Sequence, residues 1–123
     1  MKKIIIFGAT GNVGSYLVKY ASEVFDAGEY EIIATGRRIT NVFDQFGVKY
    51  FDVDITNPTD FAKLPNTNVH SVIMLAAVIP SYMSEYNAGD YLNANILGAY
   101  NVLEYCRKVK ADRILYSTTV FDI

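Results

Sequence analysis

The sequence predicts an α/β domain in which helices cover both faces of a doubly wound parallel sheet. Short, continuously apolar runs alternate with amphipathic segments along all 123 residues, and this alternation is typical of βαβ units. A glycine-rich stretch joins the first apolar run to the first amphipathic segment. The composition, with 51% hydrophobic and 20% charged residues, is that of a globular chain rather than a disordered one.

Five apolar runs are predicted to be the strands. The run from Ile4 to Phe7 is rich in β-branched residues and is bounded by glycine, which is typical of a strand buried on both faces. The other four runs cover residues 31–35, 48–53, 71–78 and 113–117. We expect the strand order 3-2-1-4-5, as in open doubly wound sheets.

The segments between the runs predict helices. The first segment ends at Gly28. Its apolar residues recur at helical spacing, namely Val13, Leu17, Ala21 and Val24. Aromatic residues widen this stripe, namely Tyr16, Tyr20 and Phe25. Residues 41–46 predict a short helix, and Asn57 before Pro58 predicts the N-cap and first position of another, which runs through Leu64. The longest helix is predicted over residues 90–108, with one apolar face formed by Leu92, Ile96, Ala99, Leu103 and Cys106.

Charge and cysteine content exclude several function classes. The net charge of −2 gives no electrostatic reason to bind nucleic acid. No run approaches the ~18 apolar residues that span a membrane, and the four apolar residues after Lys2 and Lys3 are too few for a secretory signal. One cysteine and one histidine can form neither an internal disulfide nor a metal cluster. We therefore expect a cytoplasmic protein without a metal, membrane or nucleic-acid partner.

Residues 8–14, GATGNVG, lie at the predicted junction of strand and helix. A phosphate-binding turn uses one glycine to turn, one to let the backbone approach pyrophosphate, and one to pack the helix closely on the strand. The helix N-terminus then holds the anion. The G-x-x-G-x-x-G spacing differs from G-x-G-x-x-G, and no Gly-Lys-Ser/Thr follows, which argues against an ATPase or kinase. The alternative is an ordinary glycine turn, but the stretch predicts a dinucleotide loop formed by Gly8, Thr10, Gly11, Asn12, Val13 and Gly14.

The end of the second strand bears on the choice of cofactor. An acidic residue there would bind the ribose 2′-hydroxyl of NAD, whereas arginine accommodates the 2′-phosphate of NADP. Here Gly36 is followed by Arg37 and Arg38, with no carboxylate at the strand end. Their guanidinium groups could form forked, charge-assisted hydrogen bonds to a phosphate. NADP is therefore favoured over NAD, and the alternative is two solvated arginines.

The motifs together resemble the N-terminal part of the extended short-chain dehydrogenase/reductases, the NAD-dependent epimerase/dehydratase family. The resemblance covers essentially all 123 residues. FGATGNVG resembles the family's glycine loop, DVDITNP (52–58) its acidic–apolar pair after strand three, and IMLAAV (73–78) its small-residue segment after strand four. YLNANILGAYNVLEYCRK (91–108) resembles its asparagine- and glycine-containing helix, and RILYSTTVF (113–121) the strand that delivers an active-site hydroxyl.

The resemblance implies a Rossmann-type cofactor-binding domain and a role for several residues. Asp54 and Ile55 would contact adenine, and Ala76 and Ala77 would let the backbone pass close to ribose and pyrophosphate. Asn95 would also belong to the cofactor site, and either Thr118 or Ser117 would supply the catalytic hydroxyl. Each assignment has an alternative without a role in the site. Asp54 would be a turn residue, and Ala76 and Ala77 would be small residues under a helix. Asn95 would form a core hydrogen bond, and the hydroxyl of Ser117 or Thr118 would only end a strand.

The resemblance also implies a reaction, which is hydride transfer on a nucleotide-linked sugar or a similar carbonyl or alcohol substrate. Family members use a Tyr-x-x-x-Lys pair as general base, and no tyrosine here has a lysine four residues later. We expect the pair, and a further helix after the fifth strand, beyond Ile123. The 123 residues would then be one incomplete NAD(P)-binding domain, inactive by itself, with no second domain. The alternative function is a non-catalytic NADP-binding sensor or regulatory protein of the atypical short-chain dehydrogenase type. The resemblance also implies a homodimer that forms through residues 90–108.

Overall fold

The protein is a five-stranded parallel sheet with helices on both faces, seen in a computed structural model that describes residues 1–75 and 92–117. The strand order is β3-β2-β1-β4-β5, and all four pairings are parallel. This confirms the predicted fold class and strand order. The strands are β1 (Lys2–Phe7), β2 (Tyr30–Gly36), β3 (Lys49–Asp52), β4 (Val69–Met74) and β5 (Arg113–Tyr116).

In the described part of the chain, two α-helices and three irregular helical segments connect the strands. The α-helices are α1 (Asn12–Val24) and α2 (Gly98–Val109), and a π-helical segment (Leu92–Leu97) leads into α2. The two short helices predicted from the sequence are present as 3₁₀ helices, Val42–Phe46 and Pro58–Lys63. Asn57 caps the second of them, since its Oδ1 accepts a hydrogen bond from the Thr59 N–H at 3.2 Å.

The sheet separates two hydrophobic cores. Every residue of β1 from Ile4 to Phe7 is buried, which confirms a strand covered on both faces. The side chains alternate: Ile4 and Ile6 pack with Val18 and Ala21 of α1, whereas Ile5 and Phe7 pack with α2. The buried residues that α2 contributes to that second core are Val102, Tyr105 and Cys106, so the cysteine of the predicted apolar face is a core residue.

The predicted buried face of α1 is partly wrong. Val13 and Val24 are exposed, as are the tyrosines predicted to widen the stripe, Tyr16 and Tyr20; the buried residues are Gly14, Val18 and Ala21. Gly14 and Ala21 have little or no side chain, so the helix can lie close to the sheet on this side. Small residues therefore set the rotation of α1, and the larger apolar residues next to them face outward. The helix also ends at Val24 rather than Gly28.

The predicted apolar face of the long helix is also partly wrong. Ile96 and Leu103 are 59% and 50% exposed, and the side chain of Leu92 lies outside the described residues. The buried residues of α2 are Gly98, Val102, Tyr105 and Cys106. The reason lies in Tyr105, whose ring centroid is 6.4 Å from that of Phe7 and whose hydroxyl donates to the Pro65 carbonyl at 2.5 Å. Anchoring this tyrosine against the sheet turns Leu103 outward.

The remaining differences concern element boundaries. β3 and β5 are shorter than predicted, and β4 begins at Val69, two residues before its predicted start. Residues 76–78 of the predicted fourth strand and residues 90–91 of the predicted long helix lie outside the described residues. Within residues 1–75 and 92–117, no helix has the length and apolarity required to cross a membrane.

Candidate functional site

The glycine loop follows β1 and turns the chain into α1. Gly8 has φ = +82°, a left-handed conformation that glycine adopts without strain. The Ala9 N–H donates to the Thr35 carbonyl at 2.9 Å, and the Gly11 N–H donates to the Gly8 carbonyl at 3.3 Å. The loop is thus fixed to β2 and closed on itself, with Gly8 as the tight-turn glycine of the predicted motif.

The other two glycines differ in what the fold requires of them. A Cβ at Gly14 would lie 2.2 Å from the Gly8 carbonyl oxygen and 2.7 Å from the Ala9 Cα, so no side chain fits there. A Cβ at Gly11 would meet only the Gly8 oxygen, at 3.5 Å, and Gly11 has an ordinary φ of −75°. Close packing therefore explains Gly14. It does not explain Gly11, where a missing side chain leaves the outer side of the loop open to a ligand.

The N-terminus of α1 is suited to bind an anion. Gly11 is the N-cap, and among the described residues no side chain forms a capping hydrogen bond to it or to the first turn. An α-helix does not use the first-turn N–H groups itself, here those of Asn12, Val13 and Gly14. The turn contains no acidic residue, so the positive end of the helix dipole is not offset there. A pyrophosphate fits this combination of loop and helix.

Arg37 and Arg38 lie beside the loop. With Thr10 they line a surface cavity of about 420 Å³. The Arg38 Nη2 donates to the Thr10 carbonyl at 3.2 Å, and the Tyr50 hydroxyl donates to the Arg38 carbonyl. Burial and then the Asp52 carboxylate raise the pKa of Tyr50, so this hydroxyl remains a donor at neutral pH. Both arginines are exposed, and Arg38 still has N–H groups for a second acceptor, because a guanidinium carries five.

The predicted adenine pair, Asp54 and Ile55, forms a turn directly after β3. The turn is adjacent to the end of β2, since the Val53 N–H donates to the Gly36 carbonyl at 2.8 Å. The Asp54 Oδ1 accepts from the Thr56 N–H at 3.0 Å and from its hydroxyl at 2.7 Å. Asp54 is thus a turn residue, in line with the alternative interpretation. A carboxylate has about four acceptor positions, so this role leaves capacity for a ligand.

Two contacts of this turn were missed by the sequence analysis. The Asp54 N–H donates to the Asp60 Oδ2 at 2.9 Å, and the Asn101 Nδ2 donates to the Ile55 carbonyl at 2.8 Å. Asn101 is one of the residues of 91–108 that match the family's helix, and asparagine has a low helix propensity, but neither signal identifies Ile55 as its partner.

Of the remaining predicted site residues, Asn95 and Ser117 lie within the described part of the chain. Asn95 is half-buried in the π-helical segment. The Ser117 hydroxyl donates to the Met74 carbonyl at 3.2 Å, which fixes it between the ends of β4 and β5. Ala76, Ala77 and Thr118 lie outside the described residues. Across residues 1–75 and 92–117, no group of three or more His, Cys, Asp or Glu residues could hold a metal ion.

The glycine loop, the arginines and the Asp54 turn thus share one edge of the sheet, at the carboxyl ends of β1, β2 and β3. The model of the NAD dependent epimerase/dehydratase family matches residues 4–121 of this chain. The chain belongs to the NAD-dependent epimerase/dehydratase family. The family resemblance noted from the sequence motifs is therefore confirmed.

Solved structures show the same fold. ADP-L-glycero-D-manno-heptose-6-epimerase from Helicobacter pylori is 24% identical, with a TM-score of 0.78 over 97% of this chain and 39% of that one. L-threonine dehydrogenase from Clostridium difficile is 28% identical, with a TM-score of 0.74 over 94% and 36%. A mutant uronate dehydrogenase from Agrobacterium tumefaciens, complexed with NAD, is 16% identical, with a TM-score of 0.73 over 97% and 41%.

These solved chains are longer than the present chain. It spans 36–41% of the length of the solved chains that it matches. Comparison with curated protein sequences gave no significant match.

Proposed function

We propose that the chain binds NADP, in preference to NAD, over the loop of residues 8–14. We further propose that it is the cofactor-binding part of an oxidoreductase, epimerase or dehydratase. Its substrate would be a nucleotide-linked sugar or a similar carbonyl or alcohol compound. The observation that carries the proposal is the close packing of Gly14 on Gly8 beneath a helix N-terminus with no side-chain cap among the described residues. Membership in an NAD-dependent family supports the same cofactor class.

Each part of the dinucleotide has residues to receive it. The pyrophosphate would lie against the first-turn N–H groups of α1 and the open side of Gly11. The 2′-phosphate would lie in the cavity lined by Thr10, Arg37 and Arg38. Adenine would lie beside the turn at Asp54 and Ile55, next to the end of β2. Ala76 and Ala77 would let the backbone pass close to the ribose and pyrophosphate, and Asn95 would also belong to the cofactor site.

The proposed chemistry is hydride transfer, for which the bound cofactor supplies the hydride donor or acceptor. The chain itself would donate a hydrogen bond to the reacting substrate oxygen and so stabilise its developing negative charge. Thr118 and Ser117 are the candidates. The Ser117 hydroxyl already donates to the Met74 carbonyl, which favours Thr118. No tyrosine of the chain has a lysine four residues later.

Titration of the purified protein with NADPH and NADH tests the cofactor proposal. We expect NADPH to bind more tightly, and we expect Gly11→Leu to abolish binding of both. Gly28→Leu is the matched control, because Gly28 is exposed and distant in sequence from the loop. Equal affinities, or tighter NADH, would remove the role proposed for Arg37 and Arg38. Binding retained by Gly11→Leu would contradict the loop assignment itself.

A homodimer through the long helix is a further part of the proposal. Ile96, Tyr100 and Leu103 are spaced by four and three residues, so they share one helix face, and each is at least half exposed. An apolar stripe of this kind suits a helix–helix contact between two copies of the chain. Sedimentation of the protein should show a dimer that Tyr100→Glu converts to a monomer, and a monomeric unmodified protein would contradict this part of the proposal.

A further inference from the structure

A side chain of α2 holds the turn that follows β3. The Asn101 Nδ2 donates to the Ile55 carbonyl at 2.8 Å, across 46 residues of sequence. The opposite side of the turn is held by the 3₁₀ helix, where the Asp60 Oδ2 accepts the Asp54 N–H at 2.9 Å. The turn is therefore fixed between two elements that come from different parts of the chain.

The two ends of one peptide group connect Asn101 to Asp54. The peptide between Ile55 and Thr56 accepts the Asn101 amide through its carbonyl oxygen. Through its N–H, the same peptide donates to the Asp54 Oδ1 at 3.0 Å. Hydrogen bonds linked in series through one peptide polarise and orient each other. Asn101 thus fixes the plane of the group that holds the Asp54 carboxylate.

The position of this turn indicates which part of a dinucleotide the Asp54 carboxylate would contact. The turn lies at the carboxyl end of the sheet, beside the end of β2, where doubly wound folds bind their ligands. If the pyrophosphate binds on α1 and the 2′-phosphate beside Arg37, as proposed, the base of the dinucleotide would lie next to this turn. A carboxylate only accepts hydrogen bonds. It therefore favours a base with an amino group on its edge, such as adenine.

We propose that Asn101 is a positioning residue for adenine recognition, acting on Asp54 through the Ile55–Thr56 peptide. The inference rests on the proposed function, because it requires a dinucleotide on the loop of residues 8–14. A role confined to stability would weaken all dinucleotides alike. A positioning role weakens only those whose base donates to Asp54.

The test compares NADP with its hypoxanthine analogue, in which a carbonyl oxygen replaces the 6-amino group of adenine. Dissociation constants of both are measured by calorimetry for the unmodified protein and for Asn101→Leu, which has a similar shape but no donor and no added charge. We expect the unmodified protein to prefer NADP by about tenfold, the usual worth of a hydrogen bond to a charged group. Asn101→Leu should bring this ratio close to one, and the affinity for the analogue should remain within about twofold.

Two further variants test whether Asn101 acts on the base through Asp54. Asn101→Asp keeps the size of the side chain and replaces the donor by an acceptor, so it should abolish the preference as well. Asn66→Asp is its matched control, since Asn66 is exposed, lines the same surface pocket as Asn101 and undergoes the same chemical change. Asp54→Ala should remove the preference, and in that background Asn101→Leu should have no further effect on it. Thermal melting shows which variants are folded, and Asn101→Leu and Asn101→Asp each suffice for the comparison.

The outcomes separate this inference from the proposal on which it rests. If the unmodified protein binds neither dinucleotide, the proposed function is overturned and the inference falls with it. If it binds both equally well, or if Asn101→Leu leaves the NADP preference intact, only the inference is overturned. An equal loss of affinity for both dinucleotides in Asn101→Leu also overturns it, because that is the result of a purely structural role.

Discussion

The carbonyl oxygen of Gly8 occupies the space into which a side chain at Gly14 would project. A Cβ at position 14 would lie 2.2 Å from that oxygen, far inside van der Waals contact. The first turn of α1 is therefore packed against the end of β1, which is the close helix–strand packing that we expect of a dinucleotide loop. The same closeness sets the rotation of α1 over the sheet.

Alanine substitutions at Gly14 and Gly11 should separate folding from binding. Gly14→Ala forces α1 away from the loop. We therefore expect the unfolding free energy to fall by about 1–3 kcal/mol, the usual cost of overpacking. Gly11→Ala should cost less, because its Cβ meets only the Gly8 oxygen at 3.5 Å. It should nevertheless weaken dinucleotide binding. Urea denaturation gives the two stabilities, and a Gly14→Ala protein as stable as the unmodified one would contradict the packing argument.

The sheet could be predicted from the sequence because parallel strands buried on both faces appear as short apolar runs. The rotation of the helices could not. In α1, apolar residues occur on every side, and the buried face is selected by Gly14 and Ala21, residues that a count of apolar side chains undervalues. In α2, the burial of Tyr105 sets the rotation of the helix and leaves Leu103 exposed.

The positions of the candidate site residues at strand ends could be predicted because they follow from the order of the elements along the chain. Gly8, Arg37 and Asp54 each lie at or just beyond a strand end, so the parallel sheet brings them to one edge. The contacts that hold them could not be predicted. Asn101 is 46 residues from Ile55, and Tyr50 is 12 residues from Arg38. Such pairs depend on strand register and helix rotation, which no local pattern specifies.

A substitution at Gly36 should disturb the loop and the arginine segment together. A Cβ at Gly36 would lie 2.8 Å from both the Thr10 Cγ2 and the Tyr50 hydroxyl oxygen. We expect Gly36→Ala to lower the unfolding free energy by about 1–3 kcal/mol. Removing the hydroxyl in Gly36→Ala/Tyr50→Phe should recover part of this loss, so the effects of the two substitutions should be less than additive. Strict additivity in urea denaturation would show that the Cβ is accommodated elsewhere.

Removing the Tyr50 hydroxyl alone should alter cofactor preference. Tyr50→Phe keeps the ring that stacks on Phe43 with centroids 5.5 Å apart, but it loses the donor to the Arg38 carbonyl. If the arginines bind the 2′-phosphate, we expect the affinity for NADPH to fall about fivefold, as for loss of one neutral hydrogen bond, and that for NADH to stay unchanged. Tyr20→Phe on the exposed face of α1 is the control. An unchanged ratio of the two affinities in Tyr50→Phe would contradict the role given to this hydroxyl.

Cys106 should make the stability of the protein fall at alkaline pH. The side chain is 3% exposed, and burial raises the pKa of its thiol from 9.0 to about 11. Between these values the folded protein keeps a proton that the unfolded chain has lost, so the unfolding free energy decreases as the pH rises, by at most about 1.4 kcal/mol per pH unit. Burial also raises the pKa of the Tyr105 hydroxyl above its ordinary value of 10.0. Tyr105 therefore adds its own pH dependence to the unfolding free energy above about pH 10, and the comparison is confined to about pH 9 to 10. Urea denaturation over this range should give a steeper decline for the unmodified protein than for Cys106→Ala, and parallel declines would mean that the thiol titrates alike in both states.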